Sequence, residues 1–237
     1  MEPSPSDVLA GQAVYNRWVL AGYDIGVLGL SCRLVWRCPK AYQLANYQRN
    51  VGERHLELGT GTAYFLDHCA FPTQRPEVTL VDLNPTVLRV GAARIARYRP
   101  GAVRADVLQP LPFGTGQLAE AGGYDSVGMN FLLHCVPGTW ARKGQVFANA
   151  AAALRPGGRL FGSTILGAGV AITPLARRLM RLYNSRGIFH NSQDDLDGLR
   201  EQIDRHFPHA RVTVRGCVAV FEASDAPLPA RADQPAR

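Results

Sequence analysis

The chain has 237 residues, 46% of them hydrophobic, and a formal net charge of +7. That length suits one α/β domain with a sizeable core and a small appendage, and no run of about 18 apolar residues is present to make a membrane-spanning helix. The basic excess is almost entirely arginine, with lysine only at Lys40 and Lys143, and the arginines are not interleaved with aromatics that would stack on bases, so no nucleic-acid partner is expected.

Residues 1–10 carry neither a positive n-region nor an apolar signal core, which predicts a cytoplasmic location and a frayed tail. The five cysteines (Cys32, Cys38, Cys69, Cys135, Cys217) are odd in number and contain no C-x-x-C pair. Neither a disulfide framework nor a metal site is expected from them. An aromatic-rich stretch follows the tail, with Tyr15, Trp18, Tyr23, Trp36, Tyr42 and Tyr47.

Strands are predicted over 53–58 and 77–82, with a glycine turn and a helix over 62–70 between them. A helix over 84–98 comes next, where Asn84-Pro85 supplies an N-cap and a proline at the first helical position. Strands over 101–106 and 124–130 follow, then a helix over 139–154. Pro156-Gly157-Gly158 is a stop and turn before a strand over 159–165. A helix over Pro174–Ser185, another over 194–206, and strands over 210–215 and 217–223 complete the chain. Strand-length and helix-length segments alternate, which argues for βαβ units on a parallel sheet.

The turn Gly59-Thr60-Gly61-Thr62-Ala63 lies between the first strand and its helix, and Asp82 ends the next strand. Glycines allow close backbone approach to a ligand, and an acid about 20 residues on can accept from ribose hydroxyls, so an adenosine-bearing cofactor is expected. A dinucleotide fingerprint needs a third glycine where this chain has Tyr64. Glu57, two residues before Gly59, suits a cationic cofactor instead. A nucleotide-binding Rossmann oxidoreductase remains the competing reading at this point.

Five features in order carry a resemblance. They are Glu57 to Ala63, Asp82, Asp106, Tyr124 to Val127 with Asn130 to His134, and Leu154-Arg155-Pro156-Gly157-Gly158. The pattern resembles class I S-adenosylmethionine (SAM)-dependent methyltransferases of the small-molecule type, with Ala63 in place of the usual third glycine.

The resemblance implies a three-layer, Rossmann-like, seven-stranded sheet, mostly parallel with the last strand antiparallel. It implies an N-terminal helical lid over 1–50, a SAM-binding domain over 51–223, a substrate-side insert over 167–191, and a disordered tail over 224–237. It places Asp82 on the ribose hydroxyls and Leu83 on adenine. Asp106 would take the adenine amine, and Val107 would line the adenine pocket. Glu57, Gly59, Thr60 and Gly61 would face the methionine end. Asn130 would wall the sulfonium, while Tyr15 and Trp36 would close over the cofactor. His134, His190 and Tyr23 are the candidate bases, histidine being a side chain that titrates near neutrality. Phe189, like His190, could meet a planar acceptor.

The implied activity is methyl transfer from SAM, with S-adenosylhomocysteine as product, to an oxygen or nitrogen of a small or secondary metabolite. The acceptor would be the only expected ligand besides the cofactor, with no membrane partner and a monomeric or homodimeric chain. An RNA or protein methyltransferase is the alternative within the same chemistry. Against it, the chain lacks both the Asn/Asp-Pro-Pro-Tyr motif and the Pro-Cys nucleophile motif.

Overall fold

The computed structural model describes residues 31–112 and 123–230. Its strands are β1 (Arg54–Leu58), β2 (Glu77–Asp82), β3 (Gly101–Arg104), β4 (Tyr124–Asn130), β5 (Leu154–Ile165), β6 (His209–Arg215) and β7 (Val218–Ser224). They form one sheet in the order β3-β2-β1-β4-β5-β7-β6. β7 runs antiparallel to β5 and β6, and the other neighbouring pairs are parallel. The expected topology, including the reversed last strand, is the one observed.

The helices are α1 (Lys40–Asn50), α2 (Tyr64–His68), α3 (Pro85–Arg94), α4 (Trp140–Ala153), α5 (Pro174–Ser185) and α6 (Leu196–Asp204). Local chemistry sets their starts. Asn84 accepts from Thr86 N at 2.9 Å, Thr173 from Ala176 N at 3.1 Å, and Asp195 from Gly198 N at 2.8 Å. Each cap satisfies an amide that the first helical turn leaves open, and Pro85 and Pro174 occupy positions that need no donor.

Two apolar layers sandwich the sheet. Phe147, Leu199 and Phe221 belong to the layer under α4 and α6. Tyr47, Leu66 and Met180 belong to the layer under α1, α2 and α5. Burial of one such side chain contributes about 2 kcal/mol. α1 lies within the expected lid segment, yet it packs on the sheet. Asn46 donates to the carbonyls of Gly162 (3.3 Å) and Phe221 (3.1 Å), tying α1 to β5 and β7.

Several boundaries differ from expectation: the helix predicted over 84–98 ends at Arg94, and two strands differ as well. β3 stops at Arg104, so Asp106 lies two residues past the strand. β5 begins at Leu154, which pairs with Tyr124 before the Pro-Gly-Gly turn shifts the register to Ser126 opposite Arg159. The arginines of α5 (Arg177, Arg178, Arg181) face solvent. The five cysteines form no disulfide, and no group of three or more metal-ligating side chains occurs among the described residues.

Candidate active site

The carboxyl ends of β1, β2, β3 and β4 open on one cleft of about 180 Å³. Parallel sheets bind ligands at this edge, where the strand order reverses between β1 and β4. The cleft brings together Gly59, Gly61, Asp82, Leu83, Asp106, Val107, Asn130 and His190 from the predicted set.

The turn after β1 keeps that space open. Gly59 has φ +71°, and a Cβ there would lie 2.7 Å from Leu132 Cδ1. Gly61 has φ +53°, and a Cβ there would meet nothing within 4 Å, so its bare backbone faces open space. That is the cradle an adenosine-bearing cofactor needs. Ala63 adopts φ 55°, ψ 24° at the N-cap of α2. The left-handed conformation costs a residue with a Cβ roughly 1–2 kcal/mol, which explains why a glycine suits the position and marks Ala63 as tolerated strain.

Asp82 sits at the end of β2 with its Oδ1 accepting from Asn84 N at 2.8 Å. Burial raises its carboxyl from 3.8 to about 6, partly offset by amide hydrogen bonds from Asn84, Thr60 and Leu83. Asp106 is held in the same manner, its Oδ1 accepting from Leu108 N at 2.9 Å. The loop that carries it is pinned by Asn149 of α4, whose amide donates to Val107 O (2.8 Å) and Gln109 O (2.7 Å).

Glu57 and Thr60 lie in a smaller hollow of about 40 Å³ on the other side of the glycine turn, which also touches Gly59, Gly61, Asn130 and Phe131. The Thr60 hydroxyl donates to Val81 O at 3.5 Å. Glu57 is 3% exposed. Its Oε1 accepts from the Tyr47 hydroxyl at 2.5 Å and its Oε2 from His55 Nε2 at 2.9 Å. Gly52 N donates to Ser126 Oγ at 2.8 Å, and Ser126 Oγ lies 2.8 Å from His55 Nδ1. Gly128 leaves room for it, since a Cβ there would fall 2.4 Å from Glu57 Oε2. The Tyr47 hydroxyl and the His55 ring hold this acid beside the turn, where a carboxylate suits a cationic ligand end.

The cleft lining also includes the apolar Leu132, Val136, Pro137 and Ile188, together with His190. Asn130 accepts from Ser163 Oγ at 2.5 Å. Phe131 beside it has φ 54°, strain of the kind stored at functional sites.

Three predicted residues occupy other roles. His134 lines neither hollow and is 4% exposed. Its Nδ1 accepts from Ile165 N at 3.4 Å, and its ring meets the Phe189 ring edge-on at 4.5 Å. Burial first, and the charge of Lys143 second, push its pKa down to about 3. A base that weak and that enclosed does not serve an acceptor in the cleft. Trp36 is 2% exposed and packs on Phe189 at 6.1 Å, away from the cleft. Phe189, 7% exposed, points into the core, while its neighbour His190 lines the cleft. Tyr15 and Tyr23 lie outside the described residues.

Sequence reasoning gave no supporting role to Tyr47, His55, Ser126, Asn149, Lys143 or Asp194. Two left a signal, Tyr47 in the aromatic-rich stretch and Lys143 as one of two lysines in an arginine-rich chain.

Residues 56–160 match the family model described as a methyltransferase domain. Demethylluteothin O-methyltransferase of Streptomyces thioluteus is 44% identical over 216 residues, 91% of each chain. The physcion biosynthesis cluster O-methyltransferase of Aspergillus chevalieri is 37% identical over 214 residues, 90% of this chain and 94% of that one. Among solved structures, the DhpI–SAH complex aligns with TM-score 0.61 at 15% identity, covering 96% of this chain and 100% of that one. A Haemonchus contortus phosphoethanolamine N-methyltransferase 2 bound to S-adenosylhomocysteine aligns with TM-score 0.63 at 19% identity, over 89% of this chain and 46% of that one. The structural likenesses carry the fold, and the sequence relatives displace the oxidoreductase reading. The chain belongs to the class I SAM-dependent methyltransferases that act on small molecules.

Proposed function

We propose that the enzyme methylates a hydroxyl group on a largely apolar metabolite. The observation that carries this reading is the continuity of one cleft. It joins two carboxylates suited to an adenosine, Asp82 and Asp106, to apolar lining residues, and His190 is the one histidine in the lining. The O-methyltransferase names of the relatives favour oxygen over nitrogen.

In this reading Asp82 would accept from the ribose hydroxyls, Leu83 and Val107 would flank the adenine, and Asp106 would accept from its amine. Glu57 gives the cationic end of the cofactor a negative field from beneath the turn. Asn130 and Phe131 separate the cofactor end from the acceptor end. When bound, SAM supplies a methyl carbon activated by a positive sulfur that departs as a neutral thioether. The chain's own residues then do three things. The glycine turn and Asp82 fix the donor, and the walls Leu132, Val136, Pro137 and Ile188 exclude water and align the acceptor. His190 receives the hydroxyl proton as the oxygen bonds to carbon.

The test is incubation with SAM and demethylluteothin, read by mass spectrometry for gain of one methyl group, with hydroxylated aromatic metabolites and matched amines alongside. Methylation of hydroxyl acceptors is expected, with kcat in His190→Gln lowered about 100-fold. Transfer confined to the amines would overturn the oxygen assignment, and unchanged kcat in His190→Gln would remove His190 from the chemistry.

A further inference from the structure

Lys143 is one of two lysines among 26 basic residues, and its side chain is wholly buried. Its ammonium donates to Asp194 Oδ2 at 2.5 Å and to the backbone carbonyl of His190 at 2.9 Å, and the Trp140 ring lies 5.4 Å away. Asp194 is 1% exposed. Its carbonyl accepts from Gly167 N (2.9 Å) and Ala168 N (3.0 Å), and its amide donates to Asn191 O at 3.0 Å. The His190 amide donates to His134 O at 2.7 Å. His190 is therefore gripped on both sides of its backbone, and the residue lines the cleft.

Stability alone does not explain the arrangement. Desolvating two charges costs several kcal/mol per ion, and well-packed apolar pairs commonly replace such ion pairs with no loss of stability. What an apolar pair does not supply is a donor to the His190 carbonyl. An ammonium is a compact donor with three protons, which allows it to serve a carboxylate and a carbonyl at once.

We propose that the buried Lys143–Asp194 pair is a positioning device for His190, holding its peptide so that the imidazole stands at a fixed place in the acceptor end of the cleft. This rests on the reading of His190 as the group that receives the acceptor's proton. Lys143 and Asp194 are positioning residues, since neither lines the cleft.

The decisive variant replaces both charges, Lys143→Met with Asp194→Leu, because either single change leaves a buried charge unpaired and can unfold the chain. Hydrogen exchange of the His190 amide is read first and needs no acceptor. Protection is expected to fall about tenfold or more, with S-adenosylhomocysteine affinity by calorimetry within about threefold of wild type. With demethylluteothin as acceptor, kcat is expected to fall about 10- to 100-fold, the scale of a misplacement near 1 Å. In a His190→Gln background the same double change should alter kcat less than about twofold, because the residue it acts through is gone. Wild-type protection of the His190 amide in the double variant overturns the proposal. So does an equal loss of kcat with and without His190. Unchanged kcat in His190→Gln alone overturns instead the role given to His190, and the exchange measurement still decides whether the pair holds its peptide.

Discussion

The two ends of the cleft are built by opposite means. At the end of the cleft proposed for the cofactor, each of the two aspartates is tied to an amide close to it in sequence, with Thr60 and Asn149 as more distant supports. Asp82 is tied to Asn84 and Asp106 to Leu108, each two residues on. At the acceptor end, His190 is held by His134, 56 positions away, and by Lys143, 47 positions away. A site whose supports are local reads as a motif. A site whose supports are distant can change its occupant by changing a loop, and only the fold shows what anchors it.

The sharpest way to break the comparison is to remove the Asp82 carboxylate, proposed above to hold the ribose. Asp82→Ala is expected to weaken S-adenosylhomocysteine binding by about 100-fold or more, the worth of two charge-assisted hydrogen bonds. The His190 amide should keep its exchange protection, because the two ends share no support. Burial holds Asp82 at about 6, and the ribose hydroxyls need the ionised form, so affinity should fall up to about tenfold between pH 7 and pH 5. Asp82→Asn should bind weakly with no such slope. Calorimetry across that range checks both, and a wild-type affinity independent of pH would mean that Asp82 does not contact the ligand.

The same contrast explains what could be read from the chain alone. The strand segments, the glycine turn and Asp82 follow from short-range patterns: apolar runs of strand length, glycines in a turn, an acid where a strand ends; the sheet topology and the role of Asp106 came from the family resemblance. Trp36 and Phe189 were misplaced because an aromatic side chain near a site can point to core or to cleft, and no local period separates the two. Here Phe189 and His190 are adjacent and face opposite ways. His134 has the right chemistry for a base and the wrong surroundings, which only packing against Phe189, the Thr164 hydroxyl and the Ile165 amide makes visible. The Tyr47–Glu57–His55–Ser126 chain was hidden for the same reason, its ends lying 79 positions apart.

His134 sharpens the comparison from the stability side. The folded chain keeps its ring neutral down to about pH 3, whereas an unfolded histidine takes up a proton near 6.5. The unfolded state therefore binds more protons below pH 6.5, and the stability this residue contributes is complete above that pH and lost as the pH falls toward 3. Asp82 and Asp194 act in the opposite direction, since their folded values of about 6 exceed 3.8. In them the folded state gains protons first as the pH falls from 6 to 4. The informative quantity is thus the difference between wild type and His134→Asn, which keeps an acceptor near Nδ1 without the titration. Urea unfolding should show wild type losing up to about 1.4 kcal/mol per pH unit more than the variant below pH 6.5. Parallel stability curves would sink the assignment of a neutral, buried ring.

The smallest expected effect lies in the turn itself, where two neighbouring positions share a left-handed backbone and differ in what lies beside them. Ala63→Gly relieves about 1 kcal/mol of backbone strain but loses a buried methyl and gains unfolded-state freedom, so stability should change by less than about 1 kcal/mol. Affinity for S-adenosylhomocysteine should stay within about twofold. Gly61→Ala meets no neighbour and should cost about 1 kcal/mol of stability through φ alone. Its methyl, however, enters the space that the bare backbone leaves for the ligand, and affinity should drop about tenfold. Thermal unfolding and calorimetry on the two variants separate strain from contact. If Ala63→Gly tightened binding tenfold while Gly61→Ala left it unchanged, the third position of the turn, and not the open face of Gly61, would be what limits cofactor binding in this chain.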